Sequence, residues 1–152
     1  MKKIISKKIK NSINTVPDFP KKGIMFRDIT SLIKNTKVFK IVIDEIIQIA
    51  KEKRVNKIVG IDSRGFIFAA PIAYKMKIPL ILVRKKGKLP SSSYKVRYAL
   101  EYGFDVLEIN KNSINKNDRV MVIDDLIATG GTAVATSKLI SKSSSKKIEF
   151  IF

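Results

Sequence analysis

Two adjacent carboxylates, Asp124 and Asp125, stand between an apolar run and a loop rich in glycine and threonine. The apolar run, residues 119–123, is typical of a buried strand, and a helix is expected from about residue 132. Glycines let the loop turn tightly, so that its N–H groups and those of the first helical turn can point at one anion. Because like charges repel, the two carboxylates suit neighbouring hydroxyls or a cation instead. The segment therefore predicts a site for a sugar phosphate.

A second segment has the same order of elements. Residues 62–65, Asp-Ser-Arg-Gly, follow the apolar run 57–61 and precede a stretch with helical composition. The carboxyl ends of neighbouring strands share one edge of a parallel sheet, so this helix start predicts a second anion site at that edge. Arg64 can bind two oxygens of an anion with its planar guanidinium group. Further cations follow the next strand, at Arg84, Lys85 and Lys88.

Composition narrows the possible chemistry. The chain of 152 residues contains no cysteine, histidine or tryptophan. Disulfides, Cys/His metal sites, thiol nucleophiles and histidine-based triads are thereby excluded. Any bound metal must be a hard cation such as Mg²⁺, held by oxygen atoms. Any proton transfer must use Asp, Glu, Lys or Tyr.

The formal net charge is +18, from 31 Lys and Arg against 13 Asp and Glu. The excess is almost all lysine, spread along a chain that is also rich in isoleucine, and this indicates a compositional bias more than a basic binding face. Nucleic-acid binding is therefore not expected as the main function. No signal-peptide core or membrane-length apolar run is present, so a cytoplasmic protein without a membrane segment is expected.

Apolar runs alternate with helical stretches, which predicts an α/β fold with a mainly parallel central sheet flanked by helices. Helices are expected up to about Asn14 and over residues 38–50, 65–77 and 132–141. Strands are expected over residues 57–61, 79–83, 94–101, 106–109, 119–123 and 147–152. Prolines at 17 and 20 exclude helix there and predict an extended, turning segment. We expect a single domain over residues 1–152, with the first helix and a small hood in residues 1–34.

The segment 120–132 resembles the phosphoribosyl-pyrophosphate motif of the type I phosphoribosyltransferases. Four further segments are similar to the adenine phosphoribosyltransferases of that family, in the same order and at the same spacing between about Asn11 and Ile140. These segments are residues 17–30, 60–66, 83–90 and 98–103. The family continues beyond the last expected helix, so the resemblance implies that a C-terminal strand and tail of the family are missing here.

The resemblance implies a role for each segment. The phosphoribosyl group is expected on Asp124, Asp125, Ala128, Thr129, Gly130, Gly131 and Thr132. The diphosphate is expected on Asp62, Ser63, Arg64, Arg84, Lys85 and Lys88, with a cis peptide between Asp62 and Ser63. Adenine is expected on Met25, Phe26, Arg27 and Leu126. Mg²⁺ is expected to be bridged by substrate and water, with no protein ligand directly assigned.

The implied reaction belongs to purine salvage. The phosphoribosyl group moves from phosphoribosyl pyrophosphate to adenine, giving AMP and diphosphate, and Glu101 and Tyr102 are expected to be catalytic, on a lid over about residues 87–102. A homodimer is also implied. Two alternatives share the phosphate site: a transferase for another purine base, and a non-catalytic regulator that binds phosphoribosyl pyrophosphate. A decaying copy that no longer folds alone is a further hypothesis.

Overall fold

The computed structural model describes residues 2–99, 103–143 and 147–152. The chain divides into two compact units, residues 1–46 and 47–152, and each is described by itself. The expectation of one domain with a hood over residues 1–34 stays a prediction. Within the described ranges, no helix is both long enough and apolar enough to cross a membrane.

The N-terminal unit is built around a short hairpin. Its elements are α1 (Lys2–Lys10), β1 (Asn14–Pro17), β2 (Met25–Asp28), α2 (Thr30–Lys34) and the first part of α3 (Thr36–Glu52). β1 and β2 pair antiparallel, with Val16 opposite Phe26, and the Phe19 and Phe26 rings meet edge to face at 5.0 Å. This pairing confirms the extended, turning segment around the prolines.

The sequence did not predict α2. It begins after Asp28, whose carboxylate accepts hydrogen bonds from the Thr30 backbone N–H at 2.9 Å and from the Thr30 hydroxyl at 2.7 Å. A carboxylate at this position satisfies a donor that the first helical turn would leave unpaired. Because α2 has only five residues, its apolar spacing is too short to give a periodic signal.

The C-terminal unit is a six-stranded sheet with helices. Its elements are β3 (Lys57–Ile61), α4 (Gly65–Met76), β4 (Leu80–Lys85), β5 (Ser93–Ala99), β6 (Phe104–Asn110), β7 (Arg119–Ile123), α5 (Gly131–Lys142) and β8 (Lys147–Ile151). The strand order is β5-β6-β4-β3-β7-β8. Strands β4, β3, β7 and β8 run parallel, whereas β6 pairs antiparallel with both β4 and β5. The predicted α/β fold with a mainly parallel sheet is confirmed.

The neighbouring strands β3 and β7 are buried on both faces, which explains their continuous apolar sequences. Val59 and Ile61 belong to the same core cluster as Ala135 and Leu139, which lie four residues apart on α5. Gly60 faces the other way, because a Cβ atom at that position would lie 2.9 Å from the Cβ of Ala69 in α4. Successive residues of a strand point to opposite faces. Helices α4 and α5 therefore cover opposite faces of the sheet.

Candidate active site

A cleft of about 430 Å³ opens at the carboxyl ends of β3, β4 and β7. These three strands are parallel neighbours, so the segments that follow them meet at one edge of the sheet. The cleft is lined by Asp62, Ser63, Arg64, Lys85, Lys88, Asp124, Asp125, Leu126 and Thr132. Both of the anion segments predicted from the sequence therefore reach the same cleft.

The twin carboxylates directly follow β7. The backbone N–H of Asp124 donates to the Ile151 carbonyl at 3.1 Å, and the N–H of Asp125 donates to Asp124 Oδ1 at 3.0 Å. Burial raises the pKa of Asp124 to about 6, and the charge of Asp125 acts in the same direction. The ionised form of Asp124 is therefore unfavourable in this position. Such a cost is expected of a carboxylate whose charge is stabilised only when hydroxyls or a cation bind.

The loop after the carboxylates turns into α5 at a pair of glycines. Gly130 has a φ of +79°, a left-handed conformation that favours glycine. At Gly131 a Cβ atom would lie 2.9 Å from the Ala99 carbonyl oxygen, so a larger residue would displace β5. Ala128 and Thr129 are exposed, and they leave the N-terminal end of α5 open to solvent. These features suit an anion bound by backbone N–H groups.

The second anion segment lies against the first. The peptide bond between Asp62 and Ser63 is cis, as the resemblance implied. Gly65 begins α4, and a Cβ atom there would lie 2.5 Å from the Ile123 carbonyl oxygen at the end of β7. This close approach of two backbones brings Arg64 Nε to 3.1 Å from Asp125 Oδ2.

The Asp62 carboxylate lies close to cationic residues at the end of β4 and in the turn that follows it. Arg84 Nε and Lys88 Nζ each lie 3.3 Å from Asp62 Oδ2, and the Lys85 backbone N–H lies 3.5 Å from it. Burial acts to raise the pKa of Asp62, but the hydrogen bonds from Lys88, Lys85 and Arg84 outweigh it, so that the pKa is below its usual value. The Asp62 side chain, only 4% exposed, thus holds cations at the cleft.

Some predicted residues are not tested by this geometry. Met25, Phe26 and Arg27 lie on β2 of the N-terminal unit, where Met25 is 58% exposed and Arg27 donates a hydrogen bond to the Thr15 hydroxyl. Their predicted contact with adenine, together with that of the half-exposed Leu126, stays a prediction. Glu101 and Tyr102 lie outside the described residues.

Sequence reasoning missed two polar residues beside the cleft. Asp105 lies directly opposite Tyr98 in the β5–β6 pair, and its Oδ2 is 3.8 Å from Lys85 Nζ. Burial is the main reason why the pKa of the Tyr98 hydroxyl is raised; Thr132 acts to lower this pKa, and the charge of Asp105 acts to raise it further. These positions depend on the register of β5 against β6 and on Lys85 and Thr132, which come from other elements, so no local pattern in the sequence could reveal them.

Comparison with known proteins agrees with this geometry. The chain matches the phosphoribosyl transferase domain family over residues 29–152. Adenine phosphoribosyltransferases from Pelagibacter ubique and Nitrosomonas eutropha are 49% and 50% identical to it over 144 residues, which are 95% of this chain and 82% and 83% of theirs.

Solved structures give the same result. The adenine phosphoribosyltransferase of Thermoanaerobacter pseudethanolicus superimposes with a TM-score of 0.87 at 41% identity, covering 95% of this chain and 85% of that one. The Saccharomyces cerevisiae enzyme, solved in complex with an imino-altritol bisphosphate and adenine, gives a TM-score of 0.92 at 34% identity, covering 97% and 86%. The chain is therefore an enzyme of the phosphoribosyltransferase family, and within that family it belongs with the adenine phosphoribosyltransferases.

Proposed function

We propose that this glycosyltransferase moves the phosphoribosyl group of phosphoribosyl pyrophosphate to adenine, producing AMP and diphosphate in purine salvage. The observation that carries the proposal is the meeting of two anion-binding segments at one cleft, with two carboxylates between them. A phosphorylated pentose that also bears a diphosphate has the complementary groups in the same order. The choice of adenine as the base follows from the relatives named above, which are adenine phosphoribosyltransferases.

Binding would place each part of the substrate on a different element. The 5′-phosphate lies at the start of α5, where Gly130, Gly131 and the neighbouring threonines offer donors. The ribose hydroxyls donate to Asp124 and Asp125. The diphosphate lies on the opposite side of the cleft, against Arg64 and the turn that carries Lys85 and Lys88.

The reaction is a displacement at the anomeric carbon. The bond from that carbon to the diphosphate oxygen breaks, the electron pair leaves with the diphosphate, and a ring nitrogen of adenine forms the new bond. Positive charge that develops on the ribose is stabilised by the carboxylates, and negative charge on the leaving group by Arg64 and the lysines. The adenine nitrogen loses a proton, for which Glu101 is the proposed acceptor, with Tyr102 beside it.

Magnesium fits the donors of this site. Asp124 and Asp125 are hard oxygen ligands, but within the described part of the chain no group of three or more acidic side chains could hold a metal ion by itself. Most ligands would therefore come from substrate oxygens and water, beside these two carboxylates. When bound, Mg²⁺ would neutralise diphosphate oxygens and so favour their departure.

We also propose a homodimer in the cytoplasm. Ile67 and Tyr74 lie seven residues apart on α4, on one side of the helix, and remain 39% and 85% exposed in the isolated chain. On the opposite side of α4, Phe68 and Ile72 are buried. An apolar helix with an uncovered side is typical of an interface between subunits. A Tyr74→Lys variant should therefore shift the mass measured by light scattering from dimer to monomer.

The decisive experiment is turnover by the purified full chain with phosphoribosyl pyrophosphate, Mg²⁺ and each purine in turn. We expect AMP and diphosphate in equal amounts with adenine, and no nucleotide from guanine, hypoxanthine or xanthine. Turnover of another purine but never adenine would overturn the proposed substrate. Calorimetric binding of phosphoribosyl pyrophosphate without any turnover would instead favour the non-catalytic regulator.

A further inference from the structure

A second pocket, of about 510 Å³, lies at the far end of α5 from the catalytic cleft. Thr132, at the start of α5, lines the cleft, whereas Lys142 and Ser143, at its end, line this pocket. The other walls come from Tyr94 near the start of β5 and from the loop between β6 and β7. Since α5 has 12 residues, its two ends are about 18 Å apart, and the reaction proposed above does not use this pocket.

The loop between β6 and β7 is held in shape by an ion pair that is largely buried. Lys57 Nζ lies 2.9 Å from Asp118 Oδ2 and donates to the Ser113 carbonyl at 2.8 Å. Asp118 Oδ2 also accepts the Asn115 backbone N–H at 2.6 Å, and the Ser113 hydroxyl donates to the Asn110 carbonyl at 2.7 Å. This wall of the pocket is therefore formed before any ligand binds, which lowers the entropic cost of binding.

The charges at the pocket favour an anion. Lys116 and Lys142 line it, and the described residues that line it include no carboxylate. Asp118, which follows the loop, is already paired with Lys57. Lys142 Nζ donates to the Lys95 carbonyl at 2.9 Å, and this bond uses one of the three donors of the ammonium group. The pocket therefore has a positive wall whose lysines can still donate to a ligand.

A serine hydroxyl at this pocket is unpaired. The Ser143 Oγ atom is buried, and it has no hydrogen-bond partner among the residues that the structure describes. A buried polar atom without a partner lowers stability. Because a serine side chain rotates between staggered positions, Ser143 can donate to a ligand oxygen in the pocket that it lines. The unpaired hydroxyl thus favours a ligand that accepts hydrogen bonds.

The remaining walls of the pocket are uncharged. Asn112, Asn115 and Asn117 carry side-chain amides, which both donate and accept hydrogen bonds and so suit hydroxyl groups. Tyr94 adds a half-buried ring, which has Lys111 Nζ 5.6 Å from its centre. The volume lies in the range of about 300–1,000 Å³ that is usual for small-molecule sites, so a phosphate group alone would fill only part of it.

We propose that this pocket binds a small phosphomonoester. Its phosphate binds to Lys116, Lys142 and the Ser143 hydroxyl, and its hydroxyl groups bind to the three asparagine amides. A phosphate group fits better than a carboxylate, because it carries close to two negative charges and three strong acceptor oxygens at neutral pH. The inference goes beyond the proposed function, since none of these residues lines the catalytic cleft.

Amide chemical shifts of the isotope-labelled full chain, recorded without Mg²⁺ or substrate, separate this pocket from the cleft. The probes are inorganic phosphate and glycerol 3-phosphate, titrated at constant ionic strength. We expect saturable shifts in residues 112–117 and 142–143 with both probes, and a Kd about threefold to tenfold lower for glycerol 3-phosphate. Shifts confined to residues 124–132 would overturn the site. An equal or higher Kd for glycerol 3-phosphate would overturn the assignment to a phosphomonoester.

Three lysine substitutions test the positive wall. Lys116→Met and Lys142→Met should each raise the Kd for glycerol 3-phosphate about threefold to tenfold, because each removes a charged donor at an exposed position. Lys138→Met is the matched control, since Lys138 is exposed on the same helix but does not line the pocket. It should change the Kd less than about twofold. Equal losses in all three variants would show that only net charge attracts the probe, and would overturn the proposal.

Ser143→Ala tests the hydroxyl. Because this hydroxyl has no partner among the described residues, its removal should leave the melting temperature of the free chain unchanged or higher. The Kd for both probes should nevertheless rise about threefold. An unchanged Kd for both probes would overturn the role of Ser143 in phosphate binding.

Discussion

Arg64 Nε lies 3.1 Å from Asp125 Oδ2, so a proposed diphosphate ligand is paired with a proposed ribose ligand. The Asp125 side chain is 4% exposed and that of Arg64 is 40% exposed, which leaves one side of the guanidinium group open to the cleft. Because its side chain is 40% exposed, Arg64 can both orient Asp125 and contact an anion in the cleft. Removal of either residue should affect the other as well as the substrate.

Arg64→Gln should raise the KM for phosphoribosyl pyrophosphate by roughly tenfold to a hundredfold, because hydrogen bonds from a charged group contribute about 1.5–3 kcal/mol. Steady-state kinetics with saturating adenine measures this change. Arg119→Gln is the charge-matched control, since Arg119 lies at the opposite end of β7 and does not line the cleft. An equal rise in both variants would mean that only net charge matters.

Substrate binding should weaken as the pH falls through about 6, because Asp124 then becomes protonated and loses its charge and acceptor capacity. Calorimetry with phosphoribosyl pyrophosphate and Mg²⁺ measures this change in affinity when it is repeated at pH values from about one unit below the pKa of Asp124 to about two units above it. Asp124→Asn should bind weakly at every pH and lack this step. A step of unchanged size in Asp124→Asn would assign the titration to another group.

The same carboxylate should reduce stability at neutral pH. Its pKa is raised in the folded chain, so the folded state gains protons relative to the unfolded state, and stability falls as the pH rises through about 6. Asp124→Asn should therefore melt at a higher temperature than the parent chain at neutral pH, but not well below the pKa. Calorimetric melts without ligand test this, and a lower melting temperature at neutral pH would contradict it.

The buried pair between Lys57 and Asp118 should stabilise the fold above the acid range. Lys57 Nζ lies 2.9 Å from Asp118 Oδ2, with the two side chains 16% and 11% exposed. Burial acts to raise the pKa of Asp118, but Lys57 and the Asn115 N–H outweigh it and lower the pKa. The stability that this carboxylate contributes is present above the unfolded pKa of about 3.9 and is lost as the pH falls through the lower folded value.

Asp118→Asn should accordingly lower the free energy of unfolding by about 2 kcal/mol at neutral pH, with the difference shrinking in acid. Urea unfolding at several pH values measures it. The control is Asp44→Asn, which breaks the exposed pair between Lys40 and Asp44 and should cost at most about 0.5 kcal/mol. Equal losses in the two variants would remove the distinction between buried and exposed pairs.

Gly65→Ala should destabilise the chain by about 2 kcal/mol, because the new methyl group would press on the Ile123 carbonyl. The sign of this stability change is informative, since replacing glycine by alanine within a helix otherwise stabilises a protein by up to about 1 kcal/mol. Thermal unfolding gives the stability change, and a stabilised variant would show that the contact relaxes without strain.

Local signals in the sequence were sufficient to predict the conformation of the loop between β7 and α5. The apolar run before Asp124, the glycine pair and the helix start are adjacent in the chain, and the structure has all three in place. The same holds for β3 and the start of α4 around Arg64. Such features depend on backbone conformation and on neighbouring residues, and sequence patterns report these directly.

Glu108 and Asp62 could not be interpreted in this way. A single acidic residue in an apolar run indicates an exposed position, whereas Glu108 is buried and forms an ion pair with Lys95, which lies opposite it on β5. Asp62 was expected among the diphosphate ligands, and only the fold shows that its carboxylate faces Arg84 and Lys88. Partners separated by more than ten residues are set by strand order, which local patterns do not contain.

The contact between Gly65 and the Ile123 carbonyl has a consequence for selectivity among sugar phosphates. Two backbone segments touch there without an intervening side chain, so rotamer changes cannot alter the distance between the two anion loops. A ligand must match that distance to occupy both loops at once. In the proposed binding mode, shorter monophosphorylated pentoses occupy only one of them, and the length of the donor molecule therefore contributes to its selection.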